Sequence, residues 1–312
     1  MTDPGVRLGL ALAAGGARGS AHVGVLKVLE REGIPVSVVA GTSIGAVVGG
    51  VFSAGVAVGR IEQEWLETGL TKVARSFLPT FPRVGLSSGT ELSKYLHVLL
   101  GDRRIEDLSI PFAAVACDLD TGEAVVLRRG SAADALRASS SIPGIFVPVR
   151  LEGRLLVDGG LVDPLPVRVC RDLGAEVVVG VDVVPTPQPT TPHGRSLWER
   201  LARHLHDGMA HQTWIPASLT EALDRAFREG AETPPLPGVY GILNQSVSIL
   251  LQEVLRLELC QSPPDLLIRP ALDLSTTSYL RAADGIRAGE VAAEAELPRL
   301  RALLASKSRR LA

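Results

Sequence analysis

The 312-residue chain is 46% hydrophobic and 21% charged, with 32 Gly and 21 Pro, inside the globular range; collagen, a long coiled coil and wholesale disorder are excluded. Lys+Arg 32 against Asp+Glu 34 gives a formal net charge of -2, so no global positive field recruits nucleic acid. The length suits one large α/β domain or two small ones, either with a sizeable core.

From the N-terminus, Val6 to Ala13 reads as a strand. Its run Leu8 to Ala14 follows Arg7 as a signal peptide's would, but Asp3 sits in the would-be basic region and a buried strand is the better reading. Gly15 to Ser20 is a glycine loop, and His22 to Arg31 a helix with Val25, Leu26 and Leu29 on its apolar side. No residue between Glu32 and Arg60 is charged, yet Pro35 and repeated glycines make a membrane helix the weaker reading. Pro35 to Ala40 is instead a second strand, the Gly41 to Gly45 turn follows, and a helix runs to about Gly55. Strand, helix, strand, helix predicts an α/β fold with a mainly parallel central sheet and helices on both faces.

Later strands are expected at Phe112 to Asp118, Glu123 to Arg128, Leu155 to Asp158 and Glu176 to Val183. Pro185, Pro187, Pro189 and Pro192 then open a segment that Pro234, Pro235 and Pro237 close. Inside it, Ser196 with Glu199 and Ser218 with Glu221 are capping-box patterns. They start two amphipathic helices with Trp198, Leu201, Leu205 and Met209, then Leu219, Leu223 and Phe227, on their apolar faces. Beyond lie an apolar helix from Ile242 to Leu259, a strand at Asp265 to Ile268 and a polar-faced helix from Gly285 to Leu304. The expected organisation is one domain over residues 5–312: a core at 5–184, an inserted lid-like segment at 186–241 and a C-terminal completion at 242–306. The three cysteines, Cys117, Cys170 and Cys260, have neither disulfide nor zinc spacing and read as buried, reduced thiols.

Three motifs carry chemistry. Gly41-Thr42-Ser43-Ile44-Gly45 matches G-x-S-x-G between an apolar strand and a helix, the setting in which a sharp turn presents a nucleophilic serine. Gly15-Gly16-Ala17-Arg18-Gly19 lies between strand and helix, where converging N–H groups bind a phosphate or an oxyanion. Val25 and Leu26 stand where a Walker loop needs Lys and Ser/Thr, and Ala14 where a dinucleotide motif needs its first glycine, so nucleotide binding is disfavoured. A tight packing loop is the plainer alternative. Asp158-Gly159-Gly160 puts a carboxylate at a strand end, facing the crevice where ligands bind, although a turn aspartate reads the same way.

Serine needs a base to become a nucleophile. His193, His204, His206 and His211 follow Asp158 in the order of an α/β-hydrolase triad, but all lie in the inserted segment, and only two strands precede Ser43. His22 reads as a helix-start or packing residue. A dyad of Ser43 and Asp158 is the stronger reading.

Together, the Gly15-Gly16-Ala17-Arg18-Gly19 loop, GTSIGA at Gly41 to Ala46, the Ser139 to Pro148 stretch SSSIPGIFVP and Asp158-Gly159-Gly160 resemble the bacterial patatin-like phospholipases. The likeness runs from about Leu8 to Asp182 and resumes from Pro264. It implies Ser43 as nucleophile, Asp158 as general base, and an oxyanion hole from Gly15, Gly16, Ala17, Gly19 and the Ile44 N–H. Arg18 matches the family's loop arginine, Gly41, Gly45, Gly159 and Gly160 its motif glycines, and Ala14 replaces a usual glycine. The expected activity is hydrolysis of fatty-acyl esters without metal or organic cofactor, on a lipid or acyl-ester substrate. A regulatory or lipid-binding protein on the same scaffold is the alternative. The expected setting is cytoplasmic, with peripheral contact at the inner membrane surface as a variant, and the sequence leaves the oligomeric state open.

Overall fold

A computed structural model describes residues 5–67, 87–186 and 239–311. The chain divides into two compact units, residues 1–185 with 250–312 and residues 186–249. The two helices expected between Ser196 and Phe227 and the four histidines from His193 to His211 lie outside the described residues.

The first half runs β1 (Leu8–Leu12), α1 (Ser20–Arg31), β2 (Val38–Thr42), α2 (Ile44–Ser53), α3 (Val58–Leu66) and α4 (Thr90–Leu100). Next come β3 (Phe112–Asp118), β4 (Ala124–Leu127), α5 (Ala132–Ser139), β5 (Val149–Leu151) and β6 (Arg154–Asp158). The remainder is α6 (Val167–Asp172), β7 (Val177–Val181), α7 (Val239–Gln261), β8 (Leu266–Ile268) and α8 (Ala282–Leu311). Among the described residues, one eight-stranded sheet has the order β5-β6-β3-β2-β1-β7-β8, with β4 also paired to β3.

Every residue of β1, β2, β3 and β7 is buried. Their uniformly apolar sequences follow from helices covering both sides of parallel strands. The coverage shows at the glycines: a side chain at Gly9 of β1 would strike Ala175, just past α6, and crowd Cys170 of α6, whereas Gly49 of α2 packs on Leu12 and Val39. Because Gly9 and Leu12 point to opposite faces of one strand, α6 and α2 lie on opposite sides of the sheet. On the outside, α1 and α8 meet backbone to backbone. A side chain at Gly24 would strike the Ile286 carbonyl and one at Gly289 the Ala21 carbonyl.

Strand β2 begins three residues later than its apolar run suggests, pinned by pairing Gly9 with Val38 and Leu12 with Gly41. Gly41 and Thr42 therefore belong to the strand, and the turn is compressed onto Ser43. Strand β6 runs antiparallel to β3, with β5 antiparallel to it in turn. Asp158 thus reaches the carboxyl edge of the parallel strands by a hairpin that returns toward it, and not at the end of a parallel strand.

Cys117 and Cys170 are buried, and burial pushes the Cys170 thiol up to about 12. Cys260 is exposed, contrary to expectation. It follows Leu259, which packs on the core, and helical rotation turns it outward. Among the described residues no helix is long and apolar enough to cross a membrane.

Candidate active site

The register of three strands brings the site together. Thr42 at the end of β2 is level with Val115 of β3, and the next β3 residue, Ala116, is level with Asp158. Ser43 and Asp158 meet across the end of β3, with Ser43 Oγ donating to Asp158 Oδ2 at 2.5 Å.

Ser43 has φ 56° and ψ -122°, a left-handed conformation that non-glycine residues seldom adopt. Holding it costs on the order of 1–3 kcal/mol, so the surroundings must enforce it. Gly41 and Gly45 make the turn sterically feasible. A side chain at Gly41 would strike the Gly45 carbonyl, and one at Gly45 would strike the Leu12 carbonyl of β1. Thr42 Oγ1 donates to the Asp163 carbonyl at 2.7 Å, and the Ser43 N–H donates to Ser139 Oγ at 2.9 Å. Ser139 Oγ in turn donates to the Val115 carbonyl at 2.6 Å. As the first residue of α2, Ile44 has an N–H with no intrahelical acceptor.

Asp158 is buried, its Oδ1 accepting from the Gly160 N–H at 2.8 Å. Burial raises its pKa from 3.8 to about 6, against the opposing pull of its hydrogen bonds from Ser43 and Gly160. Gly159 lets the chain cross the Val115 carbonyl, where a side chain would collide. Beside Gly160 stand Leu251 and the Ala14 methyl group, which help keep water from the carboxylate. Ser43 itself is only 5% exposed, so the elbow is more enclosed than the motif alone suggests. Among the described residues no three His, Cys, Asp or Glu side chains are grouped to hold a metal ion.

The family model described as patatin-like phospholipase matches residues 10–171. This chain belongs to that family. An uncharacterized NTE family protein of Mycobacterium tuberculosis is 31% identical over 92% of this chain and 90% of its own length. Patatin-like phospholipase domain-containing protein 6 of Homo sapiens is 36% identical over 57% of this chain, a match spanning 13% of that protein. The crystal structure of VipD from Legionella pneumophila overlays 96% of this chain and 68% of its own, at 13% identity and a TM-score of 0.49.

Within this patatin-like chain the glycine loop departs from its expected division of labour. Gly16 has φ 58° and lies so close to the Thr276 carbonyl that a side chain would collide. That carbonyl takes the Ala17 N–H at 2.8 Å, so Ala17 is not free to bind an oxyanion. Gly19 closes the short 3-10 turn, Gly16–Gly19, and its missing side chain makes room for Ile44, which locks the loop against the elbow. The N–H groups of Gly15 and Gly16 reach no acceptor among the described residues.

Arg18 bonds to neither member of the dyad. Its Nε donates to the Val183 carbonyl at 2.8 Å, and its Nη1 to the carbonyls of Leu274 at 2.9 Å and Leu272 at 3.4 Å. Burial lowers its pKa, partly offset by Asp182, and its role is to staple the loop to the end of β7. Ser139 lies in the SSSIPGIFVP motif, which by itself assigns it no task. The signal was a run of serines at a helix end, where hydroxyls bond to nearby backbone.

Proposed function

We propose that the chain is a lipid acyl hydrolase that cleaves fatty-acyl esters through a covalent acyl-enzyme on Ser43, with Asp158 as general base. The observation that carries this reading is the 2.5 Å hydrogen bond from Ser43 Oγ to Asp158 Oδ2, on a left-handed elbow, in a member of the patatin-like phospholipase family.

In the first half-reaction Asp158 Oδ2 takes the hydroxyl proton as Ser43 Oγ attacks the ester carbonyl carbon. The carbonyl oxygen becomes an oxyanion, to which the N–H groups of Gly15, Gly16 and Ile44 and the positive end of α2 are the available donors. The tetrahedral adduct collapses, the C–O bond breaks, and Asp158 returns the proton to the leaving alcohol. In the second half, water gives its proton to Asp158 and attacks the acyl carbon. Collapse then frees the fatty acid, and Ser43 Oγ recovers a proton from Asp158.

A carboxylate with an ordinary pKa of 3.8 would be a weak base at neutral pH. Burial moves Asp158 to about 6, nearer the range where proton transfer is effective. Lipid as the substrate class rests on the family, that of patatin-like phospholipases.

The test is hydrolysis of short- and long-chain acyl esters by the wild type and by Ser43→Ala, with a fluorophosphonate probe mapped by peptide analysis. Ser43-dependent turnover and labelling at Ser43 support the reading. Labelling at another serine, or full turnover by Ser43→Ala, removes it.

A further inference from the structure

His22 is fully buried in α1 and forms no part of the proposed reaction. Its Nε2 lies 2.9 Å from the Ala13 carbonyl, and its Nδ1 has no partner. Burial lowers its pKa to about 4, so the imidazole is neutral near pH 7. A carbonyl only accepts, which fixes the proton on Nε2.

The Ala13 carbonyl and the Ala14 N–H belong to one planar peptide unit. His22 holds the oxygen end of that plane, and the Pro164 carbonyl takes the Ala14 N–H at 2.9 Å. The plane cannot rotate without breaking a buried hydrogen bond, and it directly precedes Gly15 and Gly16. On its other side the Ala13 oxygen lies where a side chain at Gly45 of the elbow would be.

Pro164 is fixed in turn. It follows Asp163, whose N–H donates to the Gly159 carbonyl at 2.9 Å and whose own carbonyl takes Thr42 Oγ1 at 2.7 Å. Thr42 is fully buried and precedes Ser43. His22, the Ala13–Ala14 peptide, the turn after Asp158 and Thr42 therefore form one linked series. It joins the three chain segments that must agree in position for acyl transfer: glycine loop, base and nucleophile.

We propose that His22 and Thr42 are positioning residues that hold the Gly15 and Gly16 N–H donors in register with Asp158 and Ser43 through the hydrogen-bonded turn at Asp163–Pro164. Their effect is on the transition state and not on ester binding, because each side chain bonds to a backbone carbonyl and neither bonds to the side chains of the dyad. The unpartnered Nδ1 sharpens the argument. An apolar residue would avoid leaving that nitrogen unsatisfied, so what the imidazole supplies at this place is its Nε2–H.

The inference rests on the proposed hydrolase reading, and the test separates the two. His22→Leu and Thr42→Val remove the donors, while His22→Gln and Thr42→Ser restore one at a similar place. For each, kcat, KM, the rate of fluorophosphonate labelling and the melting temperature are measured, with Ser43→Ala as the baseline. The expected result is a kcat about tenfold to a hundredfold lower in His22→Leu and Thr42→Val, with KM within about twofold, and substantial recovery in the Gln and Ser variants. Folded His22→Leu and Thr42→Val with wild-type kcat would overturn the inference, as would losses that match the unfolded fraction and are not rescued. If His22→Leu does not fold, the Thr42 pair decides. Wild-type protein without Ser43-dependent turnover would instead overturn the hydrolase reading itself.

Discussion

The backbone N–H of Ser43 donates to the hydroxyl of Ser139, which in turn donates its own hydrogen bond to the Val115 carbonyl of the neighbouring strand. One fully buried hydroxyl thereby ties the elbow to the sheet and holds a residue whose φ of 56° would otherwise relax. Ser139→Ala leaves a buried donor and a buried acceptor unmatched, at a cost of about 1–3 kcal/mol. We expect a lower urea midpoint together with a kcat reduced about tenfold. Wild-type kcat in the folded variant would show that the elbow keeps its geometry without this clamp.

The sequence made some of this legible and hid the rest for physical reasons. Phe112–Asp118 is a strand from end to end because its residues are buried on both faces and all but the terminal Asp118 are apolar, so the apolar run marks its limits. The turn around Ser43 is legible because Gly41 and Gly45 can be nothing larger. By contrast, α5 contains Ser139, yet its AADALRAS sequence has too few large apolar residues to show a helical period. Its beginning is marked only by the Ser131 side chain, which accepts from the Asp134 N–H. Helices α3, α4 and α6 and the three-residue β5 also escape the sequence reading. The direction of β6 depends on pairing with β3 and β5, which no local pattern encodes. The split between Ala17 and the free N–H groups of Gly15 and Gly16 depends on Thr276, some 260 residues away, whose carbonyl the loop sequence cannot announce.

Arg18 gives a second test of how the glycine loop is held. Its guanidinium reaches three carbonyls from two directions, at Val183, Leu272 and Leu274. A lysine ammonium is a compact charge on a flexible stem and cannot reproduce that fork. Arg18→Lys should lose about 1–3 kcal/mol of stability in urea unfolding and slow fluorophosphonate labelling of Ser43. Unchanged stability would mean that the loop is held by its glycine packing alone.

The base assignment predicts a pH profile. Asp158 must be ionised to accept the Ser43 proton, and its pKa is raised to about 6. The kcat/KM for a short-chain ester should therefore fall about tenfold per unit below that value and level off above it. Asp163, a half-buried residue, is a second carboxyl with a raised pKa, about 7, chiefly through desolvation. Its side chain does not enter the reaction, so Asp163→Asn should keep the limb near 6. Replacing His193, His204, His206 and His211 together should also leave the limb in place. A limb that vanishes with those histidines would hand the base role to one of them.

Asp158→Asn should remove activity and yet make the protein more stable, and the sign follows from the raised pKa. In the unfolded chain the carboxyl ionises near 3.8, whereas the fold delays ionisation to about 6 because the charge must be buried. Below about 3.8 both states hold the proton and burial of the carboxyl carries no charge penalty. As pH rises from 3.8 to about 6 the unfolded chain gains freely from ionising and the folded one does not, so stability is lost across that window. Above it the penalty is constant, on the order of 2–3 kcal/mol. Asparagine occupies the same space without a charge: its one oxygen accepts from the Gly160 N–H, and its NH2 donates to Ser43 Oγ, which can accept. The melting temperature of Asp158→Asn should exceed the wild type's at pH 8, and the gap should close as pH approaches 4. A variant that is less stable at pH 8, or a gap independent of pH, would mean that the carboxylate is not the strained, desolvated group that the geometry describes.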